Sequence, residues 1–172
     1  MTESARTVGA GRNPRPFNTP LEYGFRGLFV LSALRPRFCD LQRLISYDYL
    51  LVHSDDVEGA PPSLHPPAPY RGSEWLVKRD LLQSGLNLMY QRELIVRKPT
   101  VTGIVYEGSE LTTAFVSLME SSYAKALRTR AAWLQQSFAD YDDRQLQQYM
   151  SSKIGDWGTE FVEIAAIGEL EL

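Results

Sequence analysis

The sequence predicts a mainly α fold: a winged helix-turn-helix core with a small β-hairpin wing, extended at its C-terminal side by further helices. Three observations lead there. Three segments with helical apolar spacing come first, two short β-forming runs around a glycine turn follow at residues 94 to 106, and helical spacing resumes past Gly108. A chain of 172 residues, 44% hydrophobic and 23% charged, has room for one ordinary domain or one small domain with an appended helical piece, and it buries enough surface to need no staple. The organisation read from this is a disordered tail at 1–18, a winged-helix-like domain at 19–108, and a helical extension at 109–172 that packs on the core or on a partner.

The tail is rich in Gly, Pro, Arg and Ser without a period. Order begins at Thr19, whose hydroxyl can cap a free amide, with Pro20 in the first helical turn and Glu22 placed for a capping box. Leu21, Phe25, Leu28, Phe29, Leu31 and Leu34 cover much of this first helix, which makes it the central one, and Pro36 ends it. Asp40 caps a second helix with an apolar stripe of Leu41, Leu44, Ile45, Leu51 and Val52, ending near His53. Residues 54 to 72 carry five of the ten prolines, which forbids an ordinary helix or central strand and leaves a long, stiff loop. A third helix runs from about Ser73 to Gln91. The hairpin follows, with Leu94 to Lys98 and Ile104 to Tyr106 as its arms. Beyond it Ser109 caps a helix to about Glu120, a longer helix carries Ala124, Leu127, Ala131, Leu134, Phe138 and Tyr141, and another runs from after Asp142 to before Gly155.

Composition excludes several classes of function. Eighteen basic against 21 acidic residues give a net charge of −3, which argues against a surface built wholly for polyanions. The apolar runs are too short to span a membrane, and the first 16 residues lack the apolar stretch of a signal peptide. The lone Cys39 cannot form an internal disulfide, so the expected compartment is the cytoplasm.

Catalytic chemistry finds little to work with. His53, Ser54, Asp55 and Asp56 contain the residue types of a hydrolase triad, but adjacent residues point different ways, whereas a triad is assembled from distant parts of a chain. The expectation is a histidine at a helix end and a solvated turn. Cys39 has no flanking motif that marks a base, and one cysteine with His53 and His65 falls short of a zinc set. No catalytic residue, metal ligand or cofactor is therefore assigned, and the chain is expected not to be an enzyme.

Nucleic-acid contact is the next class. On the third helix Trp75, Leu82, Leu86 and Met89 share one face, and Asp80, Gln83, Ser84, Asn87 and Gln91 the opposite one. That second face carries no arginine or lysine. Gln83 and Asn87 suit adenine, but an ordinary solvated face is the reading. Residues 71 to 98 hold six basic against three acidic residues, while 99 to 172 hold five against eleven, so the wing side is the basic one. Arg71, Arg92, Arg97 and Lys98 are the candidate DNA contacts, expected to be weak and indifferent to sequence. For protein partners, Trp157, Phe161, Ile164 and Ile167 recur at helical steps and are the candidate docking stripe. The proline loop can serve as a polyproline ligand or as a rigid loop on its own domain. Asp48 falls within the apolar stripe of the second helix, where an unpaired carboxylate is costly, so internal pairing is expected, with Arg26 as the candidate partner.

LEYGFR at 21–26, DLQRL at 40–44, YDYLLVHS at 47–54, PSLHP at 62–66, Gly72 and Glu74 at the start of the third helix, and AAWL at 131–134 resemble the middle component of bacterial ABC-three-component systems. The resemblance spans about residues 20 to 150. It implies a small helical protein with a winged-helix core that partners an SMC-like coiled-coil ABC ATPase and an effector such as a nuclease or other toxin. Its role would be that of an adaptor in Lamassu-like anti-phage or anti-plasmid defence, with no catalytic residues. The competing reading is a winged-helix transcription regulator. A coiled-coil ATPase encoded beside the chain favours the adaptor, and an isolated operon with a palindromic promoter favours the regulator.

Overall fold

A computed structural model describes residues 19–66 and 71–154. The elements, in chain order, are α1 (Pro20–Leu34), β1 (Cys39–Asp40), α2 (Leu41–Val52), a single 3-10 turn (Ser54–Asp56), α3 (Arg71–Gln91), β2 (Ile95–Thr100), β3 (Gly103–Gly108), α4 (Glu110–Ser117), α5 (Ser122–Phe138) and α6 (Asp143–Ile154). The fold is mainly α with a small β wing, as the sequence predicts. The tail expected at 1–18 and the stripe of Trp157, Phe161, Ile164 and Ile167 lie outside the described residues.

The helix starts follow local chemistry. Thr19 Oγ1 accepts from Glu22 N at 3.3 Å, Asp40 Oδ1 accepts from Arg43 N at 2.7 Å, and Ser109 with Thr112 forms a reciprocal capping box, each satisfying amides that a helix start leaves without intrahelical partners. Helix α4 stops at Ser117 rather than near Glu120, because Ser121 is already the cap of α5. The hairpin is joined by a third strand: Cys39 pairs with Tyr106 and Asp40 with Val105, giving the order β1-β3-β2. Two residues have no periodicity to read, and Asp40 serves both as the strand end and as the cap of α2.

Helix α1 is central, packed by α3, α5, α4 and α2. Its tightest crossing is with α3, where Gly24 meets Gly85. A Cβ on Gly85 would overlap the Pro20 carbonyl oxygen and stand 2.5 Å from the Gly24 nitrogen, and one on Gly24 would stand 2.7 Å from the Gly85 oxygen. Backbone therefore touches backbone, and no side chain can yield. Leu82, Leu86 and Met89 are buried on α3 while Asp80, Gln83 and Ser84 are exposed, as the helical spacing predicts.

The extension shares this core. Val116, Leu127, Leu134, Phe138, Leu146 and Met150 belong to the same buried cluster as Leu28, Leu31, Leu44 and Leu51. Arg43 on α2 reinforces the junction by donating to Tyr141 O at 2.7 Å, Asp143 Oδ1 at 2.9 Å and Tyr47 Oη at 2.8 Å.

Gly85→Ala is expected to lower the unfolding free energy by about 2 kcal/mol or more, since overpacking against a rigid neighbour has no low-energy relief. The exposed neighbour change Ser84→Ala should stay within about 0.5 kcal/mol. Urea unfolding of the two variants checks this, and equal stabilities would mean that the helices do not meet at the glycines.

Candidate functional site

The polar groups of the interior gather at one place, where the N-terminal half of α1, the end of α2, the proline loop and the start of α5 converge. Glu22 and Arg26 are four residues apart on α1 and so share a face. Arg26 is 1% exposed. Its Nε donates to Asp48 Oδ1 at 2.5 Å and its Nη2 to Asp48 Oδ2 at 2.9 Å, while Nη1 donates to Glu22 Oε1 at 2.9 Å. The guanidinium also lies 4.2 Å from the centre of the Tyr23 ring. Burial works against its charge, but Asp48, Tyr23 and Glu22 outweigh burial and hold its pKa above the ordinary arginine value. The carboxylate in the α2 stripe is thus paired inside the fold, with the partner that the sequence suggested.

Above this pair runs the proline loop, held as a strap. Leu64 N and His65 N both donate to Val52 O, at 2.9 and 3.1 Å, and Ser54 Oγ donates to Pro61 O at 2.7 Å. Arg130 on α5 donates from Nε to Pro62 O at 2.9 Å, and His65 Nε2 lies 2.9 Å from Tyr123 Oη. Residues 62–65 are thus bonded on two sides, to α2 through the backbone amides of Leu64 and His65 and to α5 through Arg130 and Tyr123.

The strap brings together two histidines. His53 and His65 have ring centres 6.2 Å apart, edge to face, and His53 lies 4.9 Å from the Tyr49 ring. His53 ends α2 as the sequence suggests but is only 7% exposed, and of the turn after it Ser54 is buried while Asp55 is exposed, so the turn is solvated only in part. Burial pushes its pKa down to about 4, with Lys78 and His65 adding to the effect against Asp56 and Asp48. His65 is lowered by burial and by Arg26, against the pull of Glu22, whose Oε1 is 3.9 Å away.

The hydroxyl and carboxylates that follow His53 all have local partners. Ser54 Oγ is spent on the carbonyls of Pro61 and Pro62, Asp55 bonds Ser63, and Asp56 accepts from Tyr49 Oη. Cys39 is buried, and burial pushes its thiol up to about 12, far from a thiolate at neutral pH. Among the described residues no group of three or more His, Cys, Asp or Glu side chains is placed to hold a metal ion, and no helix is long and apolar enough to cross a membrane.

Beside the hub a groove of about 520 Å³ opens between α1 and the α4–α5 turn, with Leu21, Phe25, Phe29, Met119, Tyr123 and Leu127 in its walls and Glu22 and Arg26 at its polar end. Phe25 is also stacked on Phe115 at 6.2 Å. No pattern in the sequence marks this groove, because its walls come from two segments nearly a hundred residues apart.

Three of the four candidate DNA contacts have described side chains, and these take separate partners. Arg71 opens α3, and its side chain is outside the described residues. Arg92 is exposed and donates to Leu88 O at 3.2 Å. Arg97 and Lys98 are adjacent on β2 and so face opposite ways. Arg97 lies over the Tyr90 ring at 4.4 Å and reaches Asn87 Oδ1 at 3.4 Å, whereas Lys98 is paired with Glu107 at 2.8 Å and lies over Phe38 at 4.4 Å.

These features define a mainly helical protein with a three-stranded wing, a buried ionic hub under a proline strap, and an apolar groove beside it. The chain belongs to the family of ABC-three component (ABC-3C) system Middle Component 2, whose family model matches residues 16–160. No curated protein and no solved structure matches it. The matched span contains the hub, the strap, the groove and the wing.

Stability should fall with acidification because of the histidines. A group whose folded pKa is depressed contributes stability that is complete above its unfolded pKa, here about 6.5, and lost as pH falls toward the folded value. For His53 the window runs from about 6.5 to about 4, and the loss between about pH 7 and pH 5 is roughly 2 kcal/mol. In urea unfolding at both pH values, His53→Gln is expected to lose less on acidification than the wild type. An identical loss in the two proteins would mean that protonation of His53 is not what weakens the fold.

Proposed function

We propose that the chain is a non-enzymatic adaptor which couples an SMC-like coiled-coil ABC ATPase, the DNA sensor, to an effector in a cytoplasmic anti-phage or anti-plasmid defence complex. Membership in the middle-component family supports a place in a three-component system. The observation that carries the adaptor role is that two apolar surfaces, the α1/α4–α5 groove and the exposed face of the wing, share no residue. A protein that joins two others needs two such surfaces, because a single patch serves one partner at a time. Between them the helices form one core, so a load placed on one surface is carried to the other by packed side chains.

The test is co-expression with a coiled-coil ATPase and an effector encoded by the neighbouring reading frames, followed by size exclusion and mass measurement; neighbours without a coiled-coil ATPase would themselves contradict the reading. A stable assembly containing all three is expected. Leu21→Glu, on the exposed rim of the groove, should release one partner while the isolated chain keeps its melting temperature within a few degrees. Trp157→Ala with Phe161→Ala tests the C-terminal stripe in the same way. The purified chain alone should show no hydrolase or nuclease turnover. Elution of the chain alone, with both partners present and soluble, would contradict the adaptor reading, as would turnover that disappears on replacing His53 or Cys39.

A further inference from the structure

The wing presents a mixed face. In the β2–β3 register Arg97 is opposite Tyr106 and Pro99 opposite Ile104, so these four side chains lie on one side of the ribbon. Tyr106 is buried, but Ile104 is 43% exposed and Tyr90, beneath Arg97, is 40% exposed. The result is an aromatic ring, a guanidinium stacked on it, a proline and a branched aliphatic side chain on one surface, with Arg92 two residues beyond Tyr90.

Two occupants compete for such a surface, a nucleic acid and a protein. Phosphate binding is carried by free cations in number. Here the neighbouring cation Lys98 points to the other face and is neutralised by Glu107. The open face of α3 offers Asp80, Gln83 and Ser84, and Glu93 is exposed next to Arg92. The surface therefore combines two arginines with three exposed apolar side chains, Tyr90, Pro99 and Ile104, and no lysine. Tyr and Arg anchors with few lysines are the composition of a protein interface centre, not of a phosphate track.

We propose that the face formed by Tyr90, Arg97, Pro99 and Ile104 docks a partner segment that carries an acidic residue beside apolar ones, the carboxylate pairing with Arg97 and the apolar side chains covering Ile104 and Tyr90. Added β-pairing is not the mode. Although β2 is the outer strand of the sheet, Pro99 removes an amide from it, a feature of edges that avoid strand addition. The proposal rests on the adaptor reading and names the chemistry of one of its two docking surfaces.

The experiment uses the full chain and overlapping synthetic peptides that tile the ATPase and the effector encoded beside it, with a short mixed-sequence DNA duplex as the competing probe. A peptide with an acidic residue flanked by apolar ones should bind. Ile104→Asp and Arg97→Glu should each weaken it about tenfold or more, and changing the peptide's acidic residue to lysine should restore binding to Arg97→Glu. Lys98→Glu, on the opposite face, should leave peptide binding unchanged, whereas a duplex that straddles the ribbon and contacts both faces would be weakened by it as much as by Arg97→Glu. All these residues are exposed, so unchanged melting temperatures verify folding. Duplex binding lost equally in Arg97→Glu and Lys98→Glu, with no peptide bound, would overturn the proposal. So would a three-component assembly that forms normally with Ile104→Asp and Arg97→Glu, and that result leaves the adaptor reading intact. Failure of any assembly to form removes the adaptor reading, and the docking face with it.

Discussion

A guanidinium buried between two helices must find acceptors for its donors and an opposite charge for its own, because the desolvation it suffers is large and water is not at hand to offset it. Arg26 meets both demands with a two-point pairing to Asp48 on α2 and a third bond to Glu22 on its own helix. Planar bidentate geometry of this kind fixes orientation as well as distance. It sets how α1 lies against α2, while the Gly24–Gly85 contact sets how α1 lies against α3. With those two crossings determined, the places where the wing and the extension can pack are largely determined too.

The hub also ties the groove to the strap. Its polar groups form the end of the α1/α4–α5 groove, and the strap above it is bonded to α5 through Arg130 and the His65–Tyr123 contact. Neutral histidines are favoured there because Arg26 and Lys78 already supply positive charge and burial penalises more. The interior therefore holds a fixed charge pattern at neutral pH.

Much of this is legible in the sequence. Thr19, Asp40 and Ser109 mark helix starts because a side-chain oxygen there satisfies free amides, and helical spacing correctly names Leu82, Leu86 and Met89 on α3 and Ala124, Leu127, Ala131, Leu134 and Phe138 on α5 as buried. Tyr141 lies past the end of α5 and is only half-buried, and the side chain of Trp75 is outside the described residues. Asp48 is legible for a different reason: a carboxylate among Leu44, Leu51 and Val52 has no stable existence without a partner. Strand β1 is not, since two residues carry no period. The meeting of His53 with His65 is hidden as well, because the path of the proline loop is set by the amides of Leu64 and His65 on Val52 O, a tertiary fact. Gly24 and Gly85 read locally as poor helix formers and give no sign that two backbones touch there. Arg97 and Lys98 look like one basic patch when only their adjacency is considered, yet the period of two of a strand already separates them.

The dependence of the fold on the buried ion pair is tested most directly by a double-mutant cycle at Arg26 and Asp48, with unfolding free energies measured in urea at neutral pH. Arg26→Met alone and Asp48→Leu alone each leave a buried charge without its partner and should lose about 3 to 5 kcal/mol. The double variant removes both charges and fills the space with apolar atoms, so it should lose far less than the sum of the two, giving a coupling of roughly 2 kcal/mol or more. Losses that simply add would mean that the two residues do not depend on one another, and would contradict a fold organised around their pairing.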